Sequence, residues 1–286
     1  MPLVHPLSPS PKTTDMRAPR DLKPRPLSVS LARFSSSVVI AAALFGAARG
    51  ATLTWDPDAV GGNNSASGAG LGGSGTWDNL TTSNWWSGGA SDTTWNNAGL
   101  DTAVFRRAAG TVTLGVPITA GNLIFNTSDF VLAGSPLTLG AGAIVNLDDR
   151  SGNAVNTTIS SQLAGSGMTL NGNGGTLTLN FAGTHAPTGT LNLRSGTLQV
   201  NGGGVSASVL AAGTGVTFRG SSAFVLDNVS AIAATTYNLG ALTHLGGDGV
   251  VRIARTESQN VQLTFSSLGV RAEGATGLFQ ANLDGK

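Results

Sequence analysis

The sequence predicts an all-β chain wound as a solenoid, on three observations. Gly-Thr-Leu occurs at Gly175, Gly189 and Gly196, each time opening a short alternating run: Thr176-Leu177-Thr178-Leu179, Thr190-Leu191-Asn192-Leu193 and Thr197-Leu198-Gln199-Val200. Strand side chains alternate with period two, so the apolar residues of each run share one face and the polar residues the other. Gly175 and Gly196 stand 21 residues apart, a length that suits one full coil of a chain stacking on itself. Composition agrees: 41 of 286 residues are Gly, only 11% are charged, and the 40% that are apolar sit in alternating clusters. Alternating apolar clusters separate such a chain from low-complexity disorder.

Residues 1–50 read as a signal peptide with a basic n-region. Seven Lys/Arg stand there against Asp15 and Asp21, a net +5, before the apolar run Val38-Val39-Ile40-Ala41-Ala42-Ala43-Leu44-Phe45. Small residues follow at Ala48 and Gly50, which places the mature start near Ala51; translation from Met16 would shorten the n-region. The run falls short of the roughly 20 apolar residues that span a bilayer, so export without a membrane span in the mature chain is expected. The remaining residues carry 9 basic and 13 acidic side chains, with Lys286 their only lysine. No basic stripe is present for a phosphate backbone, which argues against nucleic acid as a partner. Without cysteine there are neither disulfides nor thiolate metal sites.

Residues 51–100 hold all five tryptophans, Trp55, Trp77, Trp85, Trp86 and Trp95, around a Gly/Ser/Asn stretch at 61–70 that reads as an exposed loop. The expectation is an N-terminal cap, because the open end of a solenoid exposes apolar side chains and unpaired backbone. Trp85 and Trp86 are also carbohydrate-contact candidates, since adjacent strand residues point opposite ways and one of the pair would face solvent.

Solenoid repeats are expected over 101–226. Their strands are Thr102–Phe105, Gly110–Leu114, Asn122–Phe125, Phe130–Leu132, Leu137–Leu139 and Ile144–Leu147, continuing through Ile159, Met168–Leu170, the central repeat, Ser208–Leu210, Val216–Phe218 and Phe224–Leu226. Phe130, Leu137 and Ile144 lie seven apart, but Gly134, Pro136, Gly140 and Gly142 rule against a helix. Residues 227–286 continue the pattern less clearly, with Leu242-Thr243-His244-Leu245 ambiguous between strand and turn.

The run Asp101-Thr102-Ala103-Val104-Phe105, Gly110-Thr111-Val112-Thr113-Leu114 and Ile118–Asn126 resembles bacterial autotransporter-associated β-strand repeat proteins. Gly174–Val200 similarly resembles the passenger-associated repeat of autotransporters. The resemblance covers about residues 76–226 and implies a right-handed parallel β-helix on an exported, surface or adhesive module. The family pattern supplies no catalytic residue, and nothing after Leu226 reads as a membrane barrel.

Asp148-Asp149 is the only adjacent carboxylate pair and the weak acid/base candidate; a solvated turn explains it better. His5 lies in the leader, His185 reads as an exposed loop residue beside Pro187, and His244 has no partner motif. Gly172–Gly175 lacks the Lys-Ser/Thr of a phosphate loop, and Gly246-Gly247-Asp248-Gly249 is a single copy of a calcium-repeat-like pattern. No cofactor and no metal site is expected. The leading expectation is a non-enzymatic surface or adhesive module with a polysaccharide or cell-surface ligand. The alternatives are a polysaccharide lyase or hydrolase, in which Asp148 meets a second carboxylate beside an exposed tryptophan, and a fragment of a longer autotransporter.

Overall fold

The computed structural model describes residues 50–202, 209–229, 233–254 and 258–282. The leader with its signal-peptide reading and His5, and likewise Ser208, Ala231, Ile232 and residues 283–286, lie outside the described residues. Among the described residues, twenty strands form one sheet that curls on itself, and the only helix is a single 3₁₀ turn at Gly61–Asn63. Nearly all pairings are parallel and join each strand to its counterpart one coil later, an arrangement compatible with a β-helix. No helix of the described residues is long and apolar enough to cross a membrane.

The central coils cross three parallel stacks. The first contains Ile118–Ala120, Leu137–Leu139 and the openings of the long strands Leu163–Leu179 and Ala186–Asn201. The second contains Thr52–Trp55, Thr102–Phe105, Asn122–Phe125, Ile144–Leu147, the middles of the long strands, then Gly215–Arg219. The third contains Gly75–Trp77, Thr111–Leu114, Phe130–Gly134, Thr157–Ile159, the ends of the long strands, then Ser222–Asp227, Asp248–Ala254 and Thr276–Asn282.

The register explains the repeated tripeptide. Leu177 pairs with Leu198, so Gly175 and Gly196 open the same stack in consecutive coils, one turn of 21 residues. The copy at Gly189 opens the second stack of the later coil, where Leu191 and Leu193 pair with Met168 and Leu170. The strand Leu163–Leu179 runs through all three stacks, bending at Gly165 (φ 116°). A side chain there would meet the Leu139 carbonyl at 2.2 Å, so the corner admits only glycine.

Apolar residues line up rung over rung. In the second stack Ala103, Leu123, Val145, Leu170, Leu193 and Phe218 follow one another and are fully buried. In the third, Val112, Leu132, Ile159, Leu179, Val200 and Leu226 do the same. At one end Trp55, Trp77, Trp85 and Trp95 are completely buried and packed ring to ring, Trp77–Trp95 edge to face and Trp77–Trp85 and Trp85–Trp95 tilted, with centroids 4.8, 4.8 and 4.7 Å apart. They sit against Phe105, which stacks on Phe125 at 4.9 Å. Trp85–Trp86 enters this region as a short strand antiparallel to Thr52–Trp55 and Asp92–Thr93.

Three details differ from the sequence reading. Ile144 is 41% exposed, because its strand starts with an outward residue whose N–H donates to Asn122 Oδ1 (2.9 Å); Val145 and Leu147 are the inward pair. The seven-residue spacing with Phe130 and Leu137 therefore does not mark one face. The ambiguous segment around Leu242 is strand, part of Thr235–Gly246. His185 is not an exposed loop residue: it is fully buried, and its Nδ1 accepts the Leu163 N–H at 3.0 Å. The turn preceding Pro187 packs beneath the next coil, through a bridge between His185 and Leu210.

Two outcomes follow from this packing. Leu179→Asp or Leu193→Asp places an unpaired charge in the column and should lower stability in urea titration by more than about 4 kcal/mol, whereas Thr178→Ser should change it by less than about 0.5 kcal/mol. Equal effects would contradict the face assignment. Burial pushes the His185 imidazole down to about 4. A base whose folded value lies below its unfolded one, near 6.5, contributes stability above that pH and loses it as pH falls toward about 4. Denaturation midpoints should therefore fall over that window, and His185→Asn, which keeps an acceptor without titrating, should flatten the fall.

Candidate functional site

The turns that leave the second stack lie one above another. Arg106-Arg107 follows Phe105, Asn126-Thr127 follows Phe125, and Asp148-Asp149-Arg150 follows Leu147. Backbone bonds tie the three levels: Asn126 N donates to Phe105 O (2.8 Å) and Asp148 N to Phe125 O (3.1 Å). Side chains add to this, with Arg107 N donating to Thr127 Oγ1 (2.8 Å) and Asn126 Nδ2 to the Asp148 carbonyl (2.5 Å). The loop 61–70 folds over this corner and closes a recess of about 480 Å³. Ala66, Ser67, Arg106, Arg107, Asp149 and Arg150 are among the residues lining it.

Positive charge dominates the recess. Arg106 is 8% exposed and donates from Nη1 to Ala66 O (3.1 Å) and from Nη2 to Ser65 O (3.4 Å), while its Nε is buried without an acceptor. Burial, and then the charges of Arg150 and Arg107, hold its guanidinium below the ordinary value. Arg107 and Arg150 both have left-handed backbones, φ 71° and 70°, a conformation uncommon outside glycine. Strain of this kind gathers at functional sites and persists only where surrounding structure fixes it.

The sequence candidates fall in and around this corner. Asp149 lines the recess, but its carboxylate is taken up by its own turn, accepting from Ser151 N (2.8 Å), Asn153 N (2.9 Å) and Asn153 Nδ2 (2.6 Å). These bonds, the Asn153 side chain first, hold the carboxyl below the usual carboxylate range and favour the anion, the wrong form for a general acid. Asp148 Oδ1 accepts from Arg150 N at 2.9 Å, which shapes the same turn. The expectation that one of Trp85 and Trp86 faces solvent does not hold, since both are buried. Trp85 is completely buried in the aromatic cluster, and Trp86 retains 9% of its surface beneath the Arg106 guanidinium, 5.7 Å from the ring centroid. The Trp86 indole N–H donates to Gly89 O at 2.8 Å.

Over 188 residues the chain is 37% identical to a protein described as the adhesin BmaC autotransporter of Brucella suis biovar 1 (strain 1330). That stretch is 63% of this chain but 5% of the relative, so the chain spans a small part of the relative's length. No family model matches the chain, and no solved structure matches it.

The three arginines escaped the sequence reading because no local pattern joins them. Arg107 and Arg150 are 43 residues apart and meet only because two coils, of 20 and 22 residues at this level, separate Phe105 from Phe125 and Phe125 from Leu147. A search for side chains recurring at coil length would have aligned them. Composition could not, since the chain beyond residue 50 is acidic overall.

Proposed function

We propose that this chain is an exported, surface-associated β-helical module of the adhesive passenger kind, and that its corner recess holds an acidic group of a surface polysaccharide. In this reading the coils wind right-handed, residues 1–50 direct export, and the tryptophan-rich segment 51–100 covers the first coil. The similarity to a named autotransporter adhesin supports the adhesive part. The recess is the observation that carries the ligand class.

Arginine suits a carboxylate or sulfate because its planar fork donates two parallel hydrogen bonds. Charge-assisted bonds of this kind contribute about 1.5–3 kcal/mol each when partly desolvated. Arg106 is held by the 61–70 loop and by Trp86, which leaves Arg107 and Arg150 as the groups to meet a ligand. One recess gives modest affinity, and many copies on a cell surface would raise it through avidity toward a repeating polymer.

Binding to an immobilised uronate or sulfated polysaccharide should exceed binding to a neutral glucan and should weaken as salt rises. Arg150→Gln and Arg107→Gln should each weaken it about tenfold or more, the loss of one charge-assisted bond. Equal retention on acidic and neutral polymers, or binding indifferent to both substitutions, would sink the recess assignment.

A further inference from the structure

Beside the recess, on the other side of the 61–70 loop, two carboxylates and a carboxamide meet without enough donors. Asp56 follows the strand Thr52–Trp55, Asp92 opens the strand Asp92–Thr93, and Asn64 follows the 3₁₀ turn. Asn64 Nδ2 donates to Asp56 Oδ2 (2.5 Å) and to Asp92 Oδ1 (3.2 Å). The three other oxygens, Asp56 Oδ1, Asp92 Oδ2 and Asn64 Oδ1, are buried and have no hydrogen-bond partner. Asp56 as a whole is 0% exposed. Asp58, the nearby third acid, is occupied by Val60 N (2.8 Å) and Asn63 Nδ2 (2.8 Å).

As placed, the Asn64 amide aims its NH2 at both carboxylates; turned over, it aims its carbonyl oxygen at them, an arrangement that only a cation between the three can hold. Two carboxylates drawn to one amide, each with a second oxygen buried and unsatisfied, need a proton or a cation. Both carboxylates approach the same amide group, so leaving both ionised is costly without a counter-charge. The surrounding backbone is tightly drawn in. A side chain at Gly70 would lie 2.5 Å from Asn63 Oδ1 and 2.6 Å from Asn64 Oδ1, and one at Gly61 would lie 2.8 Å from Ser91 Cα.

We propose that Asp56, Asn64 and Asp92 bind a calcium ion that pins the 61–70 loop to the 85–93 segment. An all-oxygen set of two carboxylates and an amide carbonyl suits a hard cation, and calcium tolerates irregular geometry where magnesium demands an octahedron. Protein groups supply only part of its coordination, with water completing it. Because Ser65 O and Ala66 O hold Arg106, the ion would also set the wall of the recess. The site stands on its own geometry and does not depend on what the recess binds.

Terbium luminescence tests it on the full chain, since Trp55 adjoins Asp56 and Trp86 pairs with Asp92 across the strand. Terbium should give tryptophan-sensitised emission that calcium displaces and magnesium displaces far less well. Calcium should raise the thermal midpoint by several degrees over chelator. Asp92→Asn should cut the emission at least tenfold and remove the calcium shift, with the near-ultraviolet dichroism of the tryptophans unchanged. Asp56→Asn should act alike; if it unfolds the chain, Asp92→Asn decides alone. Absence of sensitised emission, emission retained in Asp92→Asn, or a midpoint indifferent to millimolar calcium would overturn the site and leave a pair of carboxyls sharing a proton.

Discussion

Every part of the described chain depends on one constraint: each coil must place its inward side chains directly over those of the coil before it. Parallel pairing fixes that registration through backbone hydrogen bonds, and period two then decides which residues enter the core. A slip of one residue would turn Leu123, Val145, Leu170 and Leu193 outward together and bring their polar neighbours in. Coil length can vary only at the corners, where residues are inserted without disturbing the stack. The steps between Phe105, Phe125 and Leu147 differ by two residues, yet all three are buried on the same column.

The corners are therefore where this chain can acquire function. Arg107, Thr127 and Arg150 occupy turns that the rungs hold about one strand spacing apart, so residues distant in sequence form a single wall. The loop 61–70 supplies the opposite wall and grips Arg106 through two carbonyls, while its other flank lies against Asp56 and Asp92. Two charged features of opposite sign thus share one loop. In the proposed reading the cation stiffens that loop, and a rigid wall reduces the ordering cost of holding an acidic sugar.

Much of the architecture was legible because local pattern and long-range packing agree here. Thr102–Phe105, Asn122–Phe125 and Leu137–Leu139 lie where alternation placed them, and the 21-residue step between Gly175 and Gly196 is one coil. Ile144 misled because an apolar residue can open a strand facing outward, which spacing alone does not show. His185 misled because the turn before Pro187 is covered by the next coil, a contact invisible from its neighbours in sequence. The site was less legible than the fold. Trp86 and Asp149 stood out by residue type, but Arg106, Arg107, Arg150, Asp56 and Asn64 gain their meaning only from coil register and from a loop whose sequence reads as mere Gly/Ser/Asn.

Registration can be tested directly because the chain has no cysteine. Thr158, Thr178 and Gln199 follow one another on the outer face of the third stack, paired Thr158 with Thr178 and Thr178 with Gln199. Adjacent rungs stand about 4.8 Å apart, within disulfide reach, and alternate rungs about 9.6 Å, beyond it. Cysteines at 158 and 178, or at 178 and 199, should cross-link rapidly on mild oxidation of the folded chain, and the pair 158 and 199 should not. Cross-linking that ignores this order, or favours 158 with 199, would contradict the stacking on which the account rests.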